Sequence, residues 1–328
     1  MSTNNWISTR FLAVALDPLH IGAGGQRLGR VDLTVVREPV TNVPKIPGTS
    51  LSGAIKFFLD LALRTDGVKS GVCASTKGSV RSHDRKTCPV CALFGYTPQE
   101  RGSQEKSEAG QEKSAQGILQ FSDGVLLAYP VNTLVGPVWV TTAPRLAARL
   151  GLGSGEDDID EEFAPLLPDF FKKNPLRGAL NFGWALLKQA EGAAVSKFGD
   201  LYQGVIDVGI EKKYAERMVV VSEWIFAQLV NSNMEIRTSV VIDPETGAAS
   251  DKGLFTYEAV ARSAIFSFDI TLNDYADIWS GVAWPADSGD KPAPLDLLAS
   301  KAFPGLASVG MGGMTTRGFG RLLISRMN

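Results

Sequence analysis

The first part of the chain arranges its apolar residues in a strand, loop, strand, turn, helix order. The segment RFLAVALDPL alternates and is rich in apolar residues, which predicts a strand that ends at Pro18. A glycine-bearing loop follows, and VDLTVV at 31–36 predicts a second strand. Pro47 then begins a turn, and Thr49 or Ser50 can cap a helix. The apolar stripe of this helix comprises Leu51, Ile55, Phe58, Leu59 and Ala62.

The rest of the chain continues this mixture of strands and helices. Strand-like stretches lie at 117–131 and 138–142, and a short helix begins at Pro144. The segment 219–230 is apolar along one face and predicts a helix, whereas 264–272 predicts a strand. Because the first part forms half of a βαββαβ unit, the pattern predicts an α+β protein with a modified ferredoxin-like fold.

Three stretches depart from that pattern. Residues 97–116 contain almost nothing apolar and predict a mobile loop. Residues 151–215 are mixed and partly helical, which predicts an insertion. The segment 235–260 has two strand-like arms joined by a turn-rich tip, which predicts a β-hairpin.

Charge is nearly balanced over the 328 residues, with 33 Lys and Arg against 35 Asp and Glu. The net charge of −2 argues against a protein that coats nucleic acid by bulk electrostatics. Acidic residues gather in GEDDIDEE at 155–162. Basic residues gather in RSHDRK and across Arg27, Arg30, Arg37, Lys45 and Lys56. The N-terminal region is therefore locally positive, as contact with phosphates requires, although a solvated charged face explains it equally well.

The chain shows no sign of a membrane or of export. No stretch approaches a membrane span, and the N-terminus lacks the basic and apolar regions of a signal peptide. Three cysteines, an odd number, fit a reducing compartment. We therefore expect a cytoplasmic protein without a membrane partner.

All three cysteines lie in one segment with a histidine. Cys73, His83, Cys88 and Cys91 fall within nineteen residues, and the last two form a C-x2-C pair. Three thiolates and one imidazole are the ligands of a closed tetrahedral Zn²⁺ site, which leaves no open position for catalysis. Three unrelated thiols are the alternative, but the polar residues between them could not bury them in a core. The spacing predicts a structural zinc.

A glycine-rich turn precedes the predicted last strand. Five glycines between 310 and 320 surround Thr315, Thr316 and Arg317, and glycine lets backbone N–H groups approach a phosphate closely. The spacing does not match a mononucleotide-binding loop, because a strand follows it. A tight structural turn and contact with an extended nucleic-acid backbone both remain open.

A second constellation comprises His20, Gly22, Gly24, Gly25 and Asp32. Asp32 lies near basic residues and should stay ionised, so it can bind a divalent cation or orient a nucleophile near a phosphodiester. From the residues alone, an isolated Asp at a strand start is more commonly a turn or salt-bridge residue. His20 is likewise more commonly a hydrogen-bonded packing residue.

Several segments, in this order, resemble the RAMP superfamily of CRISPR-Cas proteins. They are HIGAGG, VDLTVVREPVTNVPKIPGTSLSGAIK, CPVCALFG, GILQFSDGVLLAYPV with VWVTTAPRLAARL, and GMGGMTTRGFGRL. Within the superfamily, the chain resembles the repeated backbone subunit of type III effectors. FSDGVLLAYPV and VWVTTAPRL, together with IDPETGAASDKGLF, favour the Cmr kind over the Csm kind.

The resemblance implies a modified RNA-recognition-motif fold with helical insertions and a projecting β-hairpin thumb. It implies a single RAMP domain over 1–328, with a zinc-binding and mobile insertion at 70–116, a mostly helical insertion at 151–220 and the thumb at 234–262. Copies of the chain would stack along a CRISPR guide RNA with other type III subunits. Each thumb would flip a base pair of the guide–target duplex, and the target RNA would be cut there with Mg²⁺ or Mn²⁺.

The resemblance also assigns site residues by their place in the shared motifs. Asp32 matches the catalytic aspartate, and His20 matches the histidine near the start of the same loop. Tyr257 and Glu258 occupy the place of an acidic pair, so only Glu258 carries over. Family members often carry Lys and Arg where this chain has Ser52 and Lys56. The implied RNA-binding residues are Gly22, Gly24, Gly25, Arg37, Ser50, Ser52, Lys56, Glu258, Gly312, Gly313, Thr315, Thr316 and Arg317.

Two other functions compete with target cleavage. The first is a structural subunit of a Csm-like or related type III complex, which holds the guide RNA without cutting. The second is an endoribonuclease that processes precursor guide RNA and needs a general acid and base. The second is disfavoured because the chain has only two histidines, one of them an expected zinc ligand.

Overall fold

A computed structural model describes residues 6–24, 31–68, 73, 88–96, 115–156, 159–172, 178–192, 198–243, 245–285 and 289–328. The chain divides into two compact units. Unit 1 comprises the described residues of Met1–Arg10, Pro47–Asp123 and Phe268–Val309. Unit 2 comprises those of Phe11–Ile46, Gly124–Ser267 and Gly310–Asn328. The resemblance implies a single domain over 1–328, and two of the boundaries between these units fall inside strands, at Arg10–Phe11 and Ser267–Phe268.

The strands of both units are short to moderate in length. They are β1 (Trp6–Ala15), β2 (Lys45–Ile46), β3 (Gly95–Tyr96), β4 (Ala115–Gln116), β5 (Leu119–Phe121), β6 (Gly124–Thr133), β7 (Gly136–Thr141), β8 (Glu162–Pro165), β9 (Ala179–Phe182), β10 (Ala185–Gln189), β11 (Met218–Val220), β12 (Glu235–Ile242), β13 (Ala249–Ala259), β14 (Ile265–Asn273) and β15 (Leu322–Arg326).

Most helices span only one to three turns. They are α1 (Gly48–Thr65), α2 (Pro89–Phe94), α3 (Ala143–Leu150), α4 (Pro168–Phe171), α5 (Leu201–Asp207), α6 (Lys212–Ala215), α7 (Glu223–Ser232), α8 (Ile278–Gly281), α9 (Pro294–Leu297) and α10 (Phe303–Ser308). A π-helical turn, Leu298–Ala302, joins α9 to α10, and Thr315–Arg317 form a 3-10 turn. Among the described residues, no helix combines the length and the apolar character needed to cross a bilayer.

Most strands of unit 2 join one large mixed sheet. Its order is β15-β1-β14-β6-β7-β11-β8-β10-β9, and β2 pairs with β6. The sheet is mixed because β6 and β7 are antiparallel whereas β11 joins β7 in parallel. The helix α3 follows β7, and the Thr142 hydroxyl caps it by accepting the N–H of Arg145. Leu146 of α3 and Leu127 of β6 belong to the same buried cluster, which confirms a mixed α+β architecture.

The segment 151–220 departs from the prediction of mostly helix. Its described part contains the strands β8 to β11 beside the short helices α4 to α6. The runs EFAP and ALNF are four residues long, too short for hydrophobic periodicity to separate strand from helix. Phe163 and Phe182 of these runs are fully buried, with ring centroids 5.2 Å apart.

The helix α1 of unit 1 confirms the predicted helix but not its cap. Its N-cap is Pro47, which has no side-chain cap bond, and the Asp123 carboxylate accepts the N–H of Gly48 at 2.8 Å. A Cβ at Gly48 would lie 2.7 Å from the carbonyl oxygen of Phe121. The helix N-terminus is therefore closed by the segment 121–123 rather than by Thr49 or Ser50. The buried stripe includes Leu51, Ile55, Phe58 and Leu59.

The strands β12 and β13 form a separate antiparallel hairpin in unit 2. Their register runs from Glu235 opposite Ala259 to Val240 opposite Leu254. At the tip, the Asp243 carboxylate accepts the N–H of Glu245 at 2.8 Å, as an Asx turn does. The hairpin coincides with the two arms and turn-rich tip predicted from the sequence.

The predicted strand at 31–36 is not continuous. Leu33 and Val35 instead form single bridges, Leu33 in parallel to Tyr257 of β13 and Val35 to Gly22. Because alternate residues pair with different segments, no shared ladder of hydrogen bonds forms. This arrangement places Asp32 directly beside the base of the hairpin.

Candidate nucleic-acid interface at the base of the hairpin

Asp32 is exposed, yet its carboxylate is bound to Thr256 of β13. The Oδ2 atom accepts the backbone N–H of Thr256 at 2.7 Å and the Thr256 hydroxyl at 3.0 Å. The Asp32 N–H in turn donates to Thr256 Oγ1 at 3.1 Å. These hydrogen bonds lower the pKa of Asp32, with the backbone N–H of Thr256 as the largest cause. Asp32 is therefore ionised at neutral pH.

Backbone hydrogen bonds hold the loop against the hairpin on both sides of this contact. The Leu33 N–H donates to the Thr256 carbonyl at 3.1 Å, and the Glu258 N–H donates to the Leu33 carbonyl at 3.0 Å. The outer edge of β13 is thus paired at its base by the segment that carries Asp32. The position of the carboxylate depends on that of the hairpin.

His20 contacts the same strand but is buried. Its Nδ1 atom lies 2.6 Å from the Glu258 carbonyl, which can only accept, so Nδ1 carries a proton. The ring meets Tyr257 edge to face, with centroids 6.2 Å apart. The His20 carbonyl accepts the N–H of Gly313 at 2.8 Å. These contacts are those of a hydrogen-bonded packing residue, the alternative open from the sequence.

The glycine-rich turn packs against His20. Gly312 has a φ of +85°, and a Cβ there would lie 2.5 Å from the His20 carbonyl oxygen. A Cβ at Gly313 would lie 2.9 Å from the imidazole. The glycines therefore serve a tight structural turn. Beyond it, Thr315 is half-buried, whereas Thr316 and Arg317 are exposed and available to a ligand.

Arg37 and Glu258, both expected to bind RNA, are paired with each other inside unit 2. The Arg37 guanidinium makes a bidentate contact to the Glu258 carboxylate, and its Nε donates to Asn231 at 3.1 Å. The Val35 N–H also donates to Glu258 Oε2 at 3.2 Å. The side chains are only 13% and 11% exposed. This pair fastens the Asp32 loop to the hairpin base and leaves little of either group for a phosphate.

Replacing Glu258 by Ala is expected to lower the free energy of unfolding by about 3 kcal/mol, because Arg37 would remain buried without its counter-charge. Denaturant unfolding measures this cost. Glu216→Ala is the control, since the exposed Lys212–Glu216 pair should contribute less than about 1 kcal/mol. Equal costs for the two variants would contradict a stabilising role for the buried pair.

The other expected RNA-binding residues fall into two groups. Gly22 and Gly24 lie after His20, and a Cβ at Gly22 would lie 3.4 Å from the imidazole, whereas Gly25 lies outside the described residues. Ser50, Ser52 and Lys56 belong to α1 in unit 1 and are half-buried. The Lys56 ammonium donates to the Gly95 carbonyl at 3.1 Å, so it already has a protein partner.

The three cysteines converge in unit 1. Cys73 Sγ lies 3.5 Å from the sulfur atoms of both Cys88 and Cys91, and the three ligand atoms lie within 4.8 Å of one another. Contact with Cys73 and then Cys88, followed by burial, raises the pKa of the Cys91 thiol. The buried Asp60 carboxylate accepts the Cys73 N–H at 3.2 Å and fixes that end of the cluster. The cluster can hold a thiophilic metal ion; His83 lies outside the described residues.

A cleft of about 950 Å³ lies in another part of unit 2. Its lining includes three carboxylates, one ammonium group and two exposed apolar side chains, those of Leu186 and Trp224. The charged lining residues are Asp160, Glu161, Glu162 and Lys188. They include the end of the acidic run noted in the sequence, so the cleft is an unfavourable place for a phosphate.

The sequence alone does not indicate that Thr256 belongs to the candidate site. The residue lies among alternating strand residues, and a threonine in a strand carries no signal of its own. Its partner Asp32 is separated from it by 224 residues along the chain, so only the folded structure brings the two together.

The arrangement of sheet, hairpin and glycine-rich turn belongs to a known class. A sequence model of the RAMP superfamily matches residues 13–323. The chain therefore belongs to the RAMP superfamily.

Within the superfamily the chain is similar to Cmr4. It is 23% identical over 278 residues to the CRISPR system Cmr endoribonuclease Cmr4 of Pyrococcus furiosus. The aligned region covers 76% of this chain and 77% of that protein. It is also 35% identical over 80 residues to the CRISPR system Cms endoribonuclease Csm3 of Methanothermobacter thermautotrophicus. The latter match covers 24% of this chain and 28% of that protein.

Solved structures share the fold. A chain of the type III-B Cmr-beta complex bound to cognate target RNA superposes with a TM-score of 0.60 at 18% identity, over 98% of this chain and 97% of that one. A crystal structure of Cmr4 gives a TM-score of 0.57 at 14% identity, over 98% of this chain and all of the other. At these identities the similarity establishes the fold alone.

Proposed function

We propose that this chain is a backbone subunit of a type III CRISPR effector that binds guide RNA and cleaves complementary target RNA at regular intervals. Its similarity to two proteins named as endoribonucleases supports the reaction class. Its shared fold with a subunit of a target-bound Cmr complex fits this assignment. The observation that carries the proposal is the exposed, ionised Asp32 carboxylate at the hairpin base.

The proposed reaction uses a nucleophile that RNA itself supplies. The 2′-OH attacks the adjacent phosphorus once it lies in line with the scissile P–O5′ bond. The new O2′–P bond leaves a 2′,3′-cyclic phosphate on one product, the P–O5′ bond breaks, and water takes the 2′-OH proton and supplies one to the leaving 5′-oxygen. A stacked A-form duplex keeps this hydroxyl out of line, so a base pair must be displaced. The hairpin β12–β13 is suited to act as the thumb that displaces this base pair. Its exposed apolar side chains, Ile236, Val240 and Leu254, can pack against bases.

Each residue near Asp32 takes a role that its contacts permit. Asp32 faces the bent target strand, and its charge acts near the reacting phosphate. Arg37 and Glu258 hold the Asp32 loop in place. His20 supports the glycine-rich turn from within rather than acting as a base. Arg317, exposed beside that turn, is free to contact a phosphate.

The proposed catalytic cation is Mg²⁺ or Mn²⁺, and the protein supplies few ligands for it. Among the described residues, the only group of three or more His, Cys, Asp or Glu placed to hold an ion is the cysteine cluster. Asp32 belongs to no such group, and the proposal assigns one carboxylate, that of Asp32, to the cation. Such a site fits a hard cation that keeps several waters and takes phosphate oxygens from the substrate. When bound, the cation would stabilise the charge that develops on the phosphate.

Reconstitution with guide RNA and the other effector subunits tests the proposal. An end-labelled target complementary to the guide should yield products separated by a constant interval, whereas a non-complementary RNA of equal length should stay intact. Failure to bind guide RNA in a correctly folded state would contradict the assignment.

A guide-holding subunit without cleavage is the second candidate. The observation that favours it is the burial of His20, whose imidazole is bound to the Glu258 carbonyl. Among the described residues, no exposed imidazole then stands beside Asp32 as a general acid or base. An assembled complex that binds target RNA but yields no products would establish this alternative.

The cysteine cluster has a structural role in the proposal. Cys73, Cys88 and Cys91 would bind Zn²⁺ as thiolates, with His83 as the fourth ligand. Their convergence within 4.8 Å supports this ligand set. A site closed by four protein ligands takes no part in RNA cleavage and stabilises the surrounding part of unit 1.

A further inference from the structure

The contact between Asp32 and Thr256 is reciprocal. Thr256 donates its N–H and its hydroxyl to Asp32 Oδ2, while the same hydroxyl accepts the Asp32 N–H. All three bonds are 3.1 Å or shorter. Within the part of the chain that the structure describes, Oδ1 has no hydrogen-bond partner. One carboxylate oxygen is thus held by Thr256, and the Asp32 side chain is exposed.

The contact lies at the outer edge of β13, where the backbone N–H groups point away from β12 and find no acceptor within the hairpin. Thr256 lies opposite Thr238 in the β12–β13 register, and its N–H points away from β12 to Asp32. Residues of an antiparallel pair alternate between inward and outward N–H groups, so an outer strand needs an external acceptor. Asp32 provides that acceptor, and Leu33 continues the pairing along the same edge.

We propose that Thr256 is a positioning residue for Asp32. Its N–H and hydroxyl fix Oδ2 at the hairpin base and orient Oδ1 toward the bound target strand. The inference rests on the proposed function and adds a residue to it. A consequence is that carboxylate and hairpin move together, so the group that acts near the phosphate keeps its place relative to the element that displaces the base pair.

Thr256→Val removes the hydroxyl while keeping the shape of the side chain and the backbone N–H. Single-turnover cleavage of saturating target should fall about 10-fold, the scale expected when a reacting group is slightly misplaced. The affinity for guide and target should stay within about twofold, because Thr256 does not need to touch RNA. Loss of the hydroxyl raises the pKa of Asp32 toward its ordinary value, which still leaves it ionised at neutral pH. The loss of rate therefore reports position rather than protonation.

Two further variants serve as controls for this measurement. Thr256→Ser keeps the hydroxyl and should restore most of the rate. Thr271→Val is the matched control, because Thr271 is a half-buried strand threonine whose hydroxyl bonds to Ser8 and, within the described part of the chain, to no other group. It should cleave at the wild-type rate. Equal losses in Thr256→Val and Thr256→Ser, or weakened RNA binding in place of slower cleavage, would overturn the positioning role.

Amide hydrogen exchange provides a readout that does not depend on activity. The Thr256 N–H should exchange slowly in the wild-type protein and in Asp32→Asn, since both side chains offer an acceptor. It should exchange faster in Asp32→Ala. Fast exchange in the wild-type protein would overturn the inference even if Thr256→Val failed to fold. Wild-type cleavage by Asp32→Asn would instead refute the proposed function, whereas wild-type cleavage by Thr256→Val alone would refute only the role of Thr256.

Discussion

Replacing Asp32 by Asn is expected to lower target cleavage by about 1,000-fold while leaving guide binding and assembly intact. The amide keeps an acceptor for the Thr256 N–H, so the loop should stay attached to the hairpin. The amide lacks the negative charge with which, in the proposed function, the carboxylate would hold the cation beside the reacting phosphate. Single-turnover rates with end-labelled target, measured in the reconstituted complex, give the size of the effect.

The control for this variant is Asp277→Asn. Asp277 is also exposed and also binds a hydroxyl, that of Ser280, but it lies in unit 1 beside α8. Its replacement should leave the cleavage rate unchanged. Cleavage by Asp32→Asn at the wild-type rate would remove Asp32 from the mechanism and leave the guide-holding subunit as the better account.

The second large effect concerns the cysteine cluster. If the cluster binds zinc as proposed, Cys88→Ser should abolish stoichiometric zinc binding and lower the melting temperature by about 10 °C, because metal-binding energy would then contribute to folding. Elemental analysis of the purified protein measures the metal, and thermal unfolding measures the stability. A chelator should reproduce the shift in the wild-type protein, and added Zn²⁺, but not Mg²⁺, should reverse it.

Val90→Ala separates the loss of metal from the loss of packing. Val90 lies between Cys88 and Cys91 in the chain and is fully buried. Its truncation should destabilise unit 1 but leave one zinc per chain. Wild-type protein without near-stoichiometric zinc, or Cys88→Ser with unaltered melting, would exclude a structural zinc site.

The elements that the sequence predicts well are those with local signals. The stripe of α1, the alternation in β1 and the arms of the hairpin each extend over enough residues for periodicity to decide their type. The short strands β8 to β11 carry too few residues for such a decision. Their identity depends on neighbours in the sheet rather than on their own pattern.

The sequence indicates the residues of the candidate site but not the side chains with which they form hydrogen bonds and ion pairs. The motifs indicated Asp32, Arg37 and Glu258 as separate groups that face RNA. In the fold, Arg37 and Glu258 neutralise each other across 221 residues of chain. The helix cap shows the same limit, because Asp123 replaces the nearby hydroxyls from 75 residues away. A single sequence shows which side chains can donate, accept or carry charge. It does not show which distant residues pair with them in the fold.

The acidic cleft concentrates negative charge on one part of unit 2. Asp160, Glu161 and Glu162 repel any polyanion that approaches this side, and salt at physiological strength screens that repulsion only beyond about 8 Å. Under the proposed function, a ribonucleotide strand bound to this chain would therefore avoid this part of unit 2. A chain of almost balanced charge can in this way disfavour some orientations of an approaching polyanion.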